Sequence, residues 1–213
     1  LVTAGGEQKL NKIYIIKDNM DISVLEKYRI FKERLPLADF LGINYFLTYY
    51  VRFDNIELAS AIDKPLIAYR TLDIGGPPEN PMPVFGYENP TAKPLTYFTK
   101  VADFKSDPAD IYQSFKAGGF KDIFVECKDC KKQDFTTGGE IILEKKENGL
   151  IDLRTESPSE QFLVFTQNYL PGWRAFIDNQ EVSMYKVNTD FPGIFVPVGE
   201  HKVQFRYDYW SLF

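Results

Sequence analysis

The clearest regularity along the chain is a period of two in its last third. In the closing stretch "HKVQFRYDY", His201, Val203, Phe205, Tyr207 and Tyr209 fall on one side of an extended chain. Lys202, Gln204, Arg206 and Asp208 fall on the other. Such alternation predicts a strand with one face buried and one in water. "EIILEKKE", "GLIDLRTE", "QFLVFTQNY", "RAFIDN", "EVSMYKV" and "GIFVPV" are further short runs of strand-forming residues. Asn-Gly, Ser-Pro, Pro-Gly, Asp-Asn, Phe-Pro-Gly and Gly-Glu separate them, and short strands punctuated this way predict an antiparallel β-sandwich. Within it, Pro171-Gly172 reads as a type II turn, with Pro presetting φ and Gly taking the positive-φ position. "VPVGEHKV" reads as a hairpin closed by a Gly199-Glu200 turn.

Upstream the pattern is mixed. "KIYIIK" from Lys12 is a strand-like run. After it, Asp21 can cap a helix in which Val24, Leu25, Tyr28 and Phe31 share one side. "LADFLGINYFLTYYV" predicts a short helix, a break at Gly42 and a buried strand. Between Thr71 and Pro94 the repeated Gly and Pro predict an irregular traverse, the best candidate for a boundary. "LTYFTKVADF" then predicts one strand. "DPADIYQSFKAGGF" predicts a helix with Asp107 at its N-cap, Pro108 in its first turn and a Gly-Gly stop. "KDIFVEC" predicts a strand leading into a loop.

The fold class is therefore α+β, a mixed α/β region followed by a β-sandwich of jelly-roll or carbohydrate-binding-module type. The expected division is into residues 1–105 and residues 106–213. A chain of 213 residues can bury a substantial core. Its aromatic share of 15% agrees with a β-rich fold. A net charge of −5 with dispersed Lys and Arg argues against nucleic acid as a partner, since phosphate binding needs a clustered basic surface. No stretch reaches the ~18 apolar residues of a membrane-spanning helix. The chain opens at Leu1 and stops at "YWSLF" as a strand is ending, which is expected of a piece of a longer protein.

The search for chemistry returns no catalytic residue, metal site or cofactor motif. "CKDC" holds the only cysteines, Cys127 and Cys130, and supplies half of a structural zinc site at most. The reading is a local disulfide or two free thiols, because no helix start follows for a thioredoxin-like site. His201 is the sole histidine, and its strand position suits a residue packed or partly exposed beside the turn better than proton transfer. Asp178 stands at a hairpin turn, where Asp bonds locally. Aromatic residues crowd the last third, and exposed ones can stack on sugars. Tyr169, Trp173, Asp178 and Trp210 are the candidate glycan contacts. The competing role, core packing, suits most of the aromatics better, and Trp173 reads first as a plug beside the Pro171-Gly172 corner.

"NYLPGWRAFIDNQEV" followed by "VNTDFPGIFVPVGEHKVQFRYDY" resembles the C-terminal signature of the YfhO-type bacterial membrane protein family. "LADFLGINYFLT" and "YENPTAKPLTYF" resemble upstream elements of the same family, so that the likeness covers Pro36 to Phe213. The resemblance implies a polytopic membrane protein similar to GT-C glycosyltransferases, which act on cell-surface polymers with lipid-linked sugars. It implies that the catalytic acids lie in the membrane portion, and that this region is an extracytoplasmic, non-catalytic domain that orients the acceptor glycan or caps the membrane portion. Its expected partners are an acceptor glycan and the protein's own membrane-embedded part. The alternative is a structural or protein-interaction module without glycan affinity. An extracytoplasmic position also permits, without requiring, a Cys127–Cys130 disulfide.

Overall fold

The computed structural model describes residues 12–16, 35–49, 67–74, 82–89, 91–118, 122–131, 133–135 and 138–208. The chain divides into two compact units that meet at Lys93 and Pro94. That point lies in the Gly- and Pro-rich traverse, and the expected division at 105/106 falls inside the second unit.

The first unit holds β1 (Lys12–Ile16), helix α1 over residues 35–40, β2 (Ile43–Tyr49), β3 (Ile67–Ile74) and β4 (Met82–Glu88). The strands form a sheet in the order β1-β2-β4-β3, with β1 parallel to β2 and the rest antiparallel. Gly42, at φ 67°, makes the break between α1 and β2. The helix expected after Asp21 lies outside the described residues. The traverse from Thr71 is in part regular structure, since β3 runs to Ile74 and β4 pairs on both sides. Pro83 is tolerated in β4 because the ladder with β2 ends at Val84, leaving β3 alone beside the proline.

Two of the family-like segments meet in this unit. Asn89 is buried and donates from Nδ2 to Asp39 Oδ1 and to the Ile43 carbonyl, both at 2.9 Å. The Thr91 hydroxyl donates toward the same Asp39 oxygen at 2.7 Å. The backbone Lys93 N–H reaches the Asp39 carbonyl at 2.8 Å. "LADFLGIN" and "YENPTAK" are thus joined by a polar knot around one carboxylate. Buried polar groups need such partners to offset lost hydration.

The second unit is the expected sandwich. Its strands are β5 (Thr96–Phe98), β6 (Val101–Lys105), β7 (Phe124–Glu126), β8 (Gln133–Asp134), β9 (Glu140–Glu147) and β10 (Leu150–Ser157). They continue with β11 (Gln161–Phe165), β12 (Trp173–Ile177), β13 (Gln180–Val182), β14 (Tyr185–Val187), β15 (Phe191–Val196) and β16 (Gly199–Tyr207). One sheet runs β13-β12-β16-β10-β9 and the other β5-β11-β15-β14-β7-β6-β8. Helix α2 (Pro108–Ala117) crosses between the parallel strands β6 and β7 and buries Ile111 and Phe115. Asp107 caps it as expected, its Oδ1 accepting from Ala109 N–H at 2.8 Å.

Several boundaries differ from the sequence reading, each for a local reason. "LTYFTKVADF" is two strands, β5 and β6, in distant places of one sheet, and the Thr99 hydroxyl bonds the Val101 carbonyl at the break. "EVSMYKV" divides into β13 and β14, which lie in opposite sheets. "FPG" is no turn but the start of β15. The chain reverses earlier, at Asn188 and Thr189, whose φ values of 47° and 71° form the mirror-image turn that suits hairpins. Pro192 fits because the β11 ladder stops at Gly193. β15 and β16 do not form a hairpin: they belong to different sheets, and Gly199 at φ 111° carries the chain across.

The core lies between the sheets. Phe165 of β11 packs 4.6 Å from the ring of Phe205 and 5.3 Å from that of Trp173, the latter edge to face. Leu153, Leu163, Ala175, Ile194, Val196 and Val203 are fully buried in the same unit. Phe165→Ala is expected to destabilise the chain by about 3–5 kcal/mol, read as a lower urea midpoint at unchanged slope. A loss below about 1 kcal/mol would mean that the sheets do not close on this ring.

Candidate functional site

The Pro171-Gly172-Trp173 corner forms at the entry to β12. Trp173 N–H donates to the Leu170 carbonyl at 3.0 Å, closing the turn. Gly172 is absent from the positive-φ positions, so the expected type II geometry is not present. Glycine is needed for another reason. A Cβ there would come within 2.8 Å of the Tyr207 ring and 2.9 Å of the Asp208 carbonyl. Asp208 N–H in turn donates to the Gly172 carbonyl at 2.7 Å, so the corner and the end of β16 are in backbone contact.

Trp173 faces inward from this corner at 8% exposure. Phe165 and Tyr207 both meet its ring edge to face with centroids 5.3 Å apart. Its indole Nε1 is buried without a hydrogen-bond partner among the described residues. The side chain is therefore a corner plug, the role the sequence favours for it.

Asp178 occupies the opposite end of β12. With Asn179 it makes the turn into β13, at φ 49° and 68°. Its Oδ1 accepts from Lys202 N–H at 2.9 Å, and its Oδ2 lies 2.7 Å from His201 Nδ1. His201 Nε2 sits 3.2 Å from the Val198 carbonyl, so both ring nitrogens face oxygen acceptors. The form that satisfies both is the imidazolium. The hydrogen bond from Asp178 raises the His201 pKa above its ordinary 6.5, and the same bond, with Lys202 N–H, lowers that of Asp178 below its ordinary 3.8. His201 is thus a partly exposed clasp beside the turn, one of the two places the sequence offers it.

Tyr169 is half-buried after β11, its ring 5.4 Å below Lys186 Nζ and its N–H bonded to the Asp190 carbonyl. Trp210 lies outside the described residues. The candidates are not gathered into one place, for Trp173 and Asp178 stand at opposite ends of a strand, ~16 Å apart. Cys127 and Cys130 are joined by a disulfide at the end of β7. Among the described residues no group of His, Cys, Asp or Glu could hold a metal ion.

A second group of aromatics was not singled out by the sequence reading. Phe104 of β6 and Phe195 of β15 lie with centroids 6.0 Å apart and planes within 17°. Both are half-buried on the outer side of the seven-stranded sheet. Phe162, paired with Phe195 across the ladder and fully buried, lies beside them on the same face, 6.3 Å from Phe104 and 5.0 Å from Phe195. Tyr185 adds an edge at 5.4 Å from Phe195, and the buried Phe135 ring packs 6.4 Å from both Phe162 and Phe195. Alternation in "GIFVPV" carried the signal, since Ile194 and Val196 face the core and Phe195 must face away.

The architecture is that of a two-layer β-sandwich with an aromatic seam inside and an aromatic patch outside. Residues 135–212 match the family model described as "Bacterial membrane protein YfhO". The resemblance drawn from the Pro-Gly-Trp corner and the final strands is borne out over that segment. The family is one of membrane proteins, while among the described residues no helix is long and apolar enough to cross a membrane. No curated protein and no solved structure matches the chain.

Gly172→Ala is expected to cost about 1–3 kcal/mol, because a methyl there overpacks the corner against Tyr207 and a backbone carbonyl. Urea unfolding measures this, and an unchanged midpoint would show that the close approach is absent. The His201–Asp178 clasp has its own pH signature. The histidine share of its stability is complete below the ordinary 6.5 and is lost as pH rises through the higher folded value. The aspartate share is complete above the ordinary 3.8 and is lost as pH falls through the lower folded value. The difference in melting temperature between the native chain and His201→Gln should therefore be largest between those limits and shrink above them. A difference independent of pH would exclude the clasp.

Proposed function

We infer that the chain is a non-catalytic, extracytoplasmic domain of a polytopic membrane protein of the glycosyltransferase-like kind, and that it orients an acceptor glycan for the membrane-embedded part. The observation that carries this reading is the match of residues 135–212 to a bacterial membrane protein family. The Cys127–Cys130 disulfide supports a position outside the reducing cytoplasm, because disulfides persist in oxidising compartments. The outer aromatic patch supports contact with sugar, whose C–H faces pack on π-systems.

A second reading, a purely structural or protein-interaction module, draws support from the same geometry. Trp173 is taken up in packing and Asp178 in the clasp with His201, so neither is free to lead a glycan site.

Incubated with a polyprenyl-phosphate-linked sugar and a cell-wall polymer, the chain alone is expected to transfer no sugar. Turnover would overturn the non-catalytic role. Thiol titration of the unfolded chain should detect free cysteine only after reduction, and reactive thiols without reductant would remove the support drawn from the disulfide. Calorimetric titration with the polymer separates the readings, since binding favours glycan orientation and its absence favours the structural module.

A further inference from the structure

The outer patch opens into a cleft of about 460 Å³ lined by Phe104, Cys130, Lys131, Gln133, Glu160 and Phe195. That size falls within the range of small-ligand sites, roughly 300–1,000 Å³. Its apolar wall is the Phe104–Phe195 pair, flanked on the same face by the buried rings of Phe162 and Phe135. Its polar rim is Gln133, whose Nε2 donates to Glu160 Oε1 at 3.2 Å. Among the described residues this bond leaves the second carboxylate oxygen and the amide oxygen of the pair uncommitted. Gln133 belongs to β8, and Glu160 directly precedes β11. The disulfide fixes the rim at Cys130, which gives the "CKDC" loop a mechanical role.

A cleft with one aromatic wall and one carboxylate–amide rim matches a particular chemistry. A pyranose ring presents a face of C–H groups to the aromatic wall and a girdle of hydroxyls to the rim. Lys131 and Glu160 give the rim one charge of each sign, which suits a neutral sugar better than an acidic one. The other faces are less suited. On the five-stranded sheet, Arg206 caps the Phe176 ring at 3.8 Å and Gln204 bonds Asp152 at 2.7 Å, so these groups satisfy one another. A second cleft of about 390 Å³ beside Phe98 has that ring covered by the backbone of Gly139.

We propose that the Phe104–Phe195 cleft binds a neutral pyranose unit, its ring against the phenylalanines and its hydroxyls on Gln133 and Glu160. The proposal rests on the glycan-orienting reading and moves the contact away from Trp173 and Asp178. The test is a titration of the whole chain, isotopically labelled, with maltotetraose, cellotetraose and chitotetraose, followed by NMR. At about 10 mM sugar, at least one of the three should shift the resonances of Lys131, Gln133 and Phe195. Glu160→Ala, at an exposed position, should weaken that binding about tenfold, and Phe195→Leu should do the same with the melting temperature followed in parallel. Shifts on another face, or binding unchanged in Glu160→Ala, would overturn this cleft while the glycan reading stood. No shift with any of the three sugars, in a chain whose spectrum is that of the folded protein, would overturn both.

Discussion

The closure of two sheets on one ring is the constraint from which the rest of the second unit follows. Phe165 belongs to β11 in the seven-stranded sheet, while its neighbours Trp173 and Phe205 belong to the five-stranded sheet. The chain must leave one sheet, turn and enter the other within the few residues between Phe165 and Trp173. Pro171 and Gly172 make that reversal, and the absence of a Cβ at Gly172 lets Tyr207 and Asp208 lie against it. An aromatic residue placed next to this corner has one direction available, into the seam. The Pro-Gly-Trp unit is thus a packing solution in which each residue depends on the other two.

The same constraint explains what the sequence revealed and what it concealed. Period-two alternation made the strands of the last third visible, and Asn148-Gly149, Asp178-Asn179 and the Asp107 cap lie where turn and cap chemistry puts them. What alternation does not encode is the sheet to which a strand belongs. An inward residue looks the same from either layer, so the crossings between β13 and β14 and between β15 and β16 read as a continuous strand and as a hairpin. Gly193 shows the ambiguity at a single residue. Beside Pro192 it has the look of a turn, yet it is in a strand because a Cβ there would press within 2.6 Å of the Phe162 ring. Its glycine is a record of close approach, which only the assembled sheet reveals.

Candidate function was less legible than fold, for a related physical reason. The crowding of aromatic residues in the last third points to Tyr169, Trp173 and Trp210 as stacking candidates. Exposure decides which of them can meet a ligand, and exposure depends on the partner layer. Trp173 is consumed by the seam. Asp178 is consumed by His201 and Lys202 N–H, as its place in a turn suggests. Phe104 and Phe195 come from segments widely separated in sequence, on strands kept apart by β14 and β7, and become neighbours because their common sheet curls: three strand spacings of a flat sheet would hold them ~14 Å apart.

The two outer faces of the sandwich then differ in a way that bears on function. On the five-stranded sheet, the alternation of β16 sets Lys202, Gln204 and Arg206 toward water, and Arg206 covers the Phe176 ring. Such a surface is wet, charged and largely satisfied by its own side chains. On the seven-stranded sheet, helix α2 joins β6 to β7 and buries Ile111 and Phe115, while Phe104 and Phe195 keep part of their rings exposed. Polar residues in their place would have hydrated this edge of an otherwise buried face. Instead the disulfide and the Gln133–Glu160 bond border the half-buried rings with a polar rim. An apolar surface left half-open next to a fixed polar edge costs hydration free energy that a fully covered sheet would not. That cost is offset when another molecule supplies the missing cover, which is why the face that the fold leaves unfinished is the one to which binding is assigned.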